Sequence, residues 1–107
     1  MSDSNRKLKV TLYLPTAALL KAPQDGEHIE EFLLRVGGGV TSYTAYGGWV
    51  NHTTGNTERE DVGVFVSLLP HTNDVRAELI ELLQKFKAAS GEQAILFDEV
   101  PVLASLI

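Results

Sequence analysis

The stretch that decides the fold is Asp61–Leu69, DVGVFVSLL. It is the most β-rich run in the chain. Val62, Val64, Val66 and Leu68 alternate onto one side, and Phe65 and Leu69 are apolar on the other. A strand with apolar residues on both sides belongs at the centre of a sheet. Just upstream, residues 51–56 (NHTTGN) carry turn chemistry. Before them, VTSYTAY (40–46) and WV (49–50) read as a partner strand, with a bulge or tight bend expected at Gly47–Gly48.

Downstream, Pro70 and the cluster Thr72–Asn73–Asp74 predict a helix start. Val75, Leu79, Leu82, Leu83 and Phe86 form its apolar stripe, and Gly91 ends it. QAILFDEV (93–100) then reads as a last strand stopped by Pro101, followed by an uncharged tail, PVLASLI (101–107). At the other end, residues 1–6 read as a frayed tail. KLKVTLYL (7–14) alternates, with Leu8, Val10, Leu12 and Leu14 on one face and Lys7, Lys9, Thr11 and Tyr13 on the other. Pro15 closes this strand.

Residues 16–26 are expected to connect, because Pro23 and Gly26 oppose one continuous helix. A turn at Ala17–Lys21, or a short extra helix there, is the alternative layout. Ile29, Phe32, Leu33 and Val36 then give a helical stripe, with Asp25 as the expected N-cap and Gly37–Gly39 as the stop.

The order is β-α-β-β-α-β. Right-handed crossovers place both helices on one face of a four-stranded antiparallel sheet, the ferredoxin-like α+β arrangement. A length of 107 residues is that of one domain, 1–107. The other sheet face is then uncovered, and Tyr13, Phe65, Leu69 and either Ile95 or Leu96 are expected to populate it. With the apolar 101–107 tail, this predicts a homo-oligomer, C2 symmetry being the commonest form.

Composition narrows the function classes. Nine basic against fourteen acidic side chains give a net charge of −5, a field that repels nucleic acid and anionic lipid. No window approaches the ~20 apolar residues of a membrane helix, and no secretory h-region follows the first charges. The absence of cysteine excludes thiolate metal sites and cysteine nucleophiles. It also suits a reducing cytoplasm. The expectation is a cytoplasmic protein with no nucleic-acid or membrane partner.

Several short motifs occur in order: Leu14–Pro15–Thr16, a helix running into Gly38–Gly39–Val40–Thr41, Gly48–Trp49, a Gly55 turn followed by Glu58 or Glu60, and Gly91–Glu92–Gln93–Ala94–Ile95. Over residues 8–98 this pattern resembles a family of small bacterial ferredoxin-like domains to which no function is assigned. Some members look like lipoproteins with a lipobox cysteine. This chain has no cysteine, so that anchor is not expected here. More remotely, the layout is similar to nitrogen-regulatory PII-like proteins. That resemblance implies ring-shaped oligomers, nucleotide clefts between subunits, and a partner-contacting loop at the position of Asn51–Glu60.

Candidate sites are few. The triple glycine could suggest a phosphate cradle, but such a cradle needs the start of a helix, and these glycines follow one. They read as a helix cap and turn. Tyr43, Tyr46 and Trp49 could line a half-apolar ligand pocket beside His52, or pack against neighbouring strands or a partner subunit. His52, Glu58 and Glu60 would face one another across the hairpin. Their spacing matches no metal signature, so they read as surface residues, with Arg59 balancing charge. Together Glu58, Arg59 and Glu60 make the candidate partner loop.

No nucleophile elbow, zincin or Walker motif is present, so no catalytic residue, metal or cofactor is assigned. Asp98 and Glu99 could pair for acid–base work only if they shared a face, and neighbours on a strand do not. The sequence therefore predicts a homo-oligomeric module acting through the 51–60 hairpin, by sensing a small molecule or docking a protein. The alternative is a small cofactor-free enzyme with a cavity between the sheet and a partner subunit, using His52 or a tyrosine hydroxyl as its acid or base.

Overall fold

The computed structural model describes residues 5–21, 27–92 and 94–107. Its elements run β1 (Arg6–Pro15), α1 (Thr16–Leu20), α2 (Ile29–Gly37), β2 (Thr41–Val50), β3 (Thr57–Pro70), α3 (Asn73–Ser90) and β4 (Leu96–Leu103). The strands form one sheet in the order β2-β3-β1-β4, and every neighbouring pair is antiparallel. This is the expected ferredoxin-like α+β layout, with DVGVFVSLL inside an inner strand.

The core lies between the sheet and the helices. Leu8, Val10, Leu12 and Leu14 of β1 join Ile29, Phe32 and Leu33 of α2 and Leu79, Leu83 and Phe86 of α3 in one buried cluster. The 3.6-residue stripes and the period-two alternation therefore meet on the same side of the sheet. Thr72 caps α3, its hydroxyl accepting from the Val75 N–H at 3.2 Å.

The structure corrects several expectations. A third helix, α1, is real, which is the alternative layout. Its Ala18 is fully buried, and Leu19 lies over Gly63 of β3, where an added Cβ would sit 3.0 Å from Leu19 Cδ1. Proline at 23 forbids a helix through that position but not a five-residue helix that ends at Leu20. Pro23, Gly26 and the expected cap Asp25 lie outside the described residues. The N-cap of α2 is His28, whose side chain makes no capping bond.

Gly47 and Gly48 do not break β2. The register against β3 runs without a slip from Thr41↔Val66 to Val50↔Thr57. Neither glycine has a positive φ, and β2 lies at the edge of the sheet, where weak propensity is tolerated. Pro101 does not stop β4, which runs on to Leu103 with Pro101 opposite Leu8. An edge strand can hold proline when the missing donor falls on the solvent side. Residues 101–103 are thus part of the sheet, and the tail proper begins at Ala104, whose N–H donates to the Asn5 carbonyl at 2.9 Å.

The two faces of β3 are also reversed from the expectation. Phe65 pairs with Leu12 and Leu69 with Leu8, so both face the helices. Val62, Val64, Val66 and Leu68 share the open face with Tyr13, Thr11 and Lys9. Periodicity separates two sets in a strand apolar on both sides, but it does not say which set meets the helices.

Each residue of the triple glycine has a structural task. Gly38 is the left-handed cap of α2, at φ 79°. A Cβ on Gly37 would lie 2.5 Å from Ser67 Oγ, so α2 can meet β3 this closely only there. The Gly39 carbonyl accepts the buried Ser67 hydroxyl at 2.7 Å. The segment fastens a helix exit to an inner strand.

Candidate functional site

Strand register assembles an apolar band on the open face. Tyr43 of β2 stands opposite Val64 of β3, which stands opposite Tyr13 of β1, which stands opposite Leu96 of β4. Directly opposed residues share a face, so these four form one row across the sheet. Val64 is only 1% exposed although no helix of the described residues covers this side, flanked as it is by the two tyrosines. Leu68, Leu96 and Val100 remain exposed on the same face. Ile95, by contrast, packs against the core.

Among the described residues the row carries one side-chain hydrogen bond. The Tyr13 hydroxyl donates to Asp98 Oδ2 at 3.1 Å. The hydrogen bond to Asp98 holds the phenol above its usual range, with burial and the nearby Asp98 and Tyr43 charges adding to it. Glu99, next along β4, faces the helices and accepts from Arg76 Nε at 2.7 Å. Alternation places these two carboxylates on opposite faces, where they serve different partners. The alternation of β1 put Tyr13 on the open face; its link to Asp98 follows only from the β1–β4 register.

The second feature is an arm. Strand β1 ends at Pro15 opposite Val62, whereas β2 and β3 continue as a pair from Tyr46↔Asp61 to Val50↔Thr57. Those five residue pairs project roughly 17 Å as a two-stranded ribbon. Trp49 lies on the open-face side of the arm with Ala45 and Gly47, while Tyr46, Gly48 and Val50 lie on the other. Tyr46, Trp49 and Val50 are all exposed. The candidate ligand residues are therefore split: Tyr43 and Trp49 share a face, and Tyr46 points the opposite way.

Asn51 builds the tip of the arm. Its Oδ1 accepts from the Thr53 and Thr54 N–H groups at 2.9 and 3.2 Å. Its carbonyl accepts from Gly55 N–H at 2.7 Å, and Gly55 adopts φ 76°. Its amide donates to Glu58 Oε1 at 3.2 Å. Glu58 of the candidate partner loop thus braces the turn. His52 is exposed within it, and Arg59 is exposed opposite Gly48.

Glu60, opposite Gly47, is half-buried. Burial raises its carboxyl above the ordinary range, and the charges of Glu92 and Glu58 raise it further. Among the described residues no three His, Asp or Glu side chains converge as a metal-ligand set, so His52, Glu58 and Glu60 do not form one. Among the same residues no helix is long and apolar enough to cross a membrane.

No family model matches the sequence, and no curated protein matches it. Solved structures do match by shape. The chain superposes on a Bacillus cereus protein related to NIF3 with a TM-score of 0.63 and 15% identity, over 92% of this chain and 26% of that one. It therefore spans about a quarter of the length of that protein. It also superposes on a phage SAM lyase in complex with S-methyl-5′-thioadenosine, with a TM-score of 0.51 and 8% identity, over 92% of this chain and 89% of that one. At these identities the likeness is one of fold.

Proposed function

We propose that this chain is a homo-oligomeric, single-domain module of PII-like layout that senses a small molecule through the β2–β3 hairpin and its tip, residues 51–60. We place it in a bacterial cytoplasm, with neither nucleic acid nor membrane as partner. The observation that carries the reading is the arm: a ribbon projecting beyond the sheet with Tyr46, Trp49 and Val50 exposed, next to an open face carrying Tyr43. Exposed aromatics clustered on a projecting element mark a binding surface more often than a stability device. The shared fold with a lyase that holds S-methyl-5′-thioadenosine makes a purine nucleoside the first ligand class to try. A flat purine suits stacking on Trp49 or Tyr43.

Trp49 is the only tryptophan, so it reports on its own surroundings. Titration with adenosine and S-methyl-5′-thioadenosine should quench or shift its fluorescence, and Tyr43→Ala should weaken the effect while leaving the fold intact. Native mass spectrometry of gently purified protein should show an oligomer carrying added mass. An unresponsive Trp49 together with an adduct-free oligomer would reject sensing and leave docking of a protein partner on the same hairpin.

A second reading, a small cofactor-free enzyme working between the sheet and a partner subunit, is favoured by one contact. Tyr13 and Asp98 pair a hydroxyl with a carboxylate beside the apolar row of the open face. Under that reading Tyr13→Phe abolishes turnover of a bound nucleoside without abolishing its binding.

A further inference from the structure

We propose that β2 is the assembly edge: β2 of one copy pairs antiparallel with β2 of a second copy about a two-fold axis at Tyr46. The proposal rests on the homo-oligomeric reading above and specifies its geometry.

The first observation is the edge itself. Strand β2 is outermost in the sheet, and its ten residues, TSYTAYGGWV, include no Lys, Arg, Asp or Glu. Eight of the ten are exposed. An outer strand presents unpaired N–H and C=O groups, and proteins normally blunt it with charge, proline or a bulge. Strand β4 at the opposite edge carries Asp98, Glu99 and Pro101. Strand β2 carries none of these devices, and its register is unbroken.

The second observation is the arm. A two-stranded ribbon is marginal in water, whereas three or more strands sharing an apolar face are stable. Pairing β2 with β2 makes four strands of the arm region, β3-β2-β2-β3, and lays the arm of each copy beside the sheet of the other.

The third observation is self-complementarity, which selects a second copy over a foreign strand. With Tyr46 on the axis, Trp49 stands opposite Tyr43 of the second copy, Gly47 opposite Ala45, Gly48 opposite Thr44 and Val50 opposite Ser42. Aromatic meets aromatic, each glycine meets a small residue, and no charge meets its like. Odd-numbered residues oppose odd-numbered ones, so the two open faces become one continuous surface. Trp49 from the second copy then extends the row Tyr43–Val64–Tyr13–Leu96. The aromatic site is completed only in the pair.

The test is the oligomeric state of full-length protein by size exclusion with light scattering. Wild type should be a dimer or an even-numbered oligomer. Tyr46 is 68% exposed, so Tyr46→Lys leaves the fold intact while setting two ammonium groups opposite each other. This variant should be half the wild-type size, as should Tyr46→Glu, and mixing the two should restore association. Tyr46→Cys should cross-link to a covalent dimer under mild oxidation, because the chain has no other cysteine. An oligomer unchanged by Tyr46→Lys overturns the pairing and leaves the homo-oligomeric reading standing. So does a foreign protein that binds the β2 edge while the oligomer stays unchanged. Monomeric wild type overturns both.

Discussion

The Ser67 hydroxyl donates to the Gly39 carbonyl at 2.7 Å, joining an inner strand to the segment that leaves α2. Gly37 permits that contact, since a Cβ there would come within 2.5 Å of the same oxygen. Ser67→Ala removes the hydrogen bond from a buried hydroxyl to a carbonyl that water can then reach, and should cost about 0.5–1.5 kcal/mol in urea unfolding. Gly37→Ala alone should cost ~1–3 kcal/mol by overpacking. The double variant should cost less than the sum, because removing the hydroxyl makes room for the new methyl. Strict additivity would show that the two sites do not share this contact.

Glu27 is held below the usual carboxylate range, chiefly by hydrogen bonds from Arg35, whose Nε and Nη2 lie 2.7 and 2.9 Å from its two oxygens. A carboxyl whose folded value is depressed stabilises the fold above its unfolded value, and that contribution disappears as pH falls through the folded value. Acid unfolding of Glu27→Gln should therefore show a shallower loss of Tm below about pH 4.3, and the two proteins should converge at the lowest pH.

Glu60 behaves in the opposite sense. Burial and the neighbouring Glu92 and Glu58 raise its carboxyl, so the folded protein holds a proton more tightly than the unfolded chain does. Stability then declines as pH rises through that window. Glu60→Gln should raise Tm at neutral pH and lose this advantage in acid below the normal carboxylate range. Equal melting of the two proteins at every pH would refute the assignment.

Asn51→Ala removes the acceptor for Thr53 and Thr54 and the donor to Glu58 together. Faster amide exchange should appear at Thr53 and Thr54 at the arm tip, with α2 and α3 unaffected. The global Tm should move little, because the tip contributes nothing to the buried core.

The fold was legible wherever one periodicity acted alone. The stripe Ile29–Phe32–Leu33 and the alternation Leu8–Val10–Leu12–Leu14 named core residues correctly, because each had one apolar side to hide. Strand β3 had two, so only its register with β1 shows that Phe65 faces the helices and Val64 does not. Proline and glycine misled for a related reason. Pro101 and Gly47–Gly48 are disruptive inside a sheet and harmless at its edges, and edge position is a property of topology. The same holds for the candidate site. Period-two alternation separates Tyr43 from Tyr46, but the face of Trp49 required an unbroken β2 register through Gly47 and Gly48. Tyr13 and Asp98 are 85 residues apart in sequence, and nothing local in either segment points to the other.

Pro101 has a consequence beyond the local ladder. A sheet with two receptive borders can recruit copies from both sides and grow into a fibre. Here one border lacks a donor at Pro101 and carries Asp98 and Glu99, while the other is bare. A chain with a single receptive border saturates after one partner, so its accretion is self-limiting. Under the proposed β2–β2 pairing, this asymmetry confines the uncharged strand to one partner and keeps it from seeding a fibre.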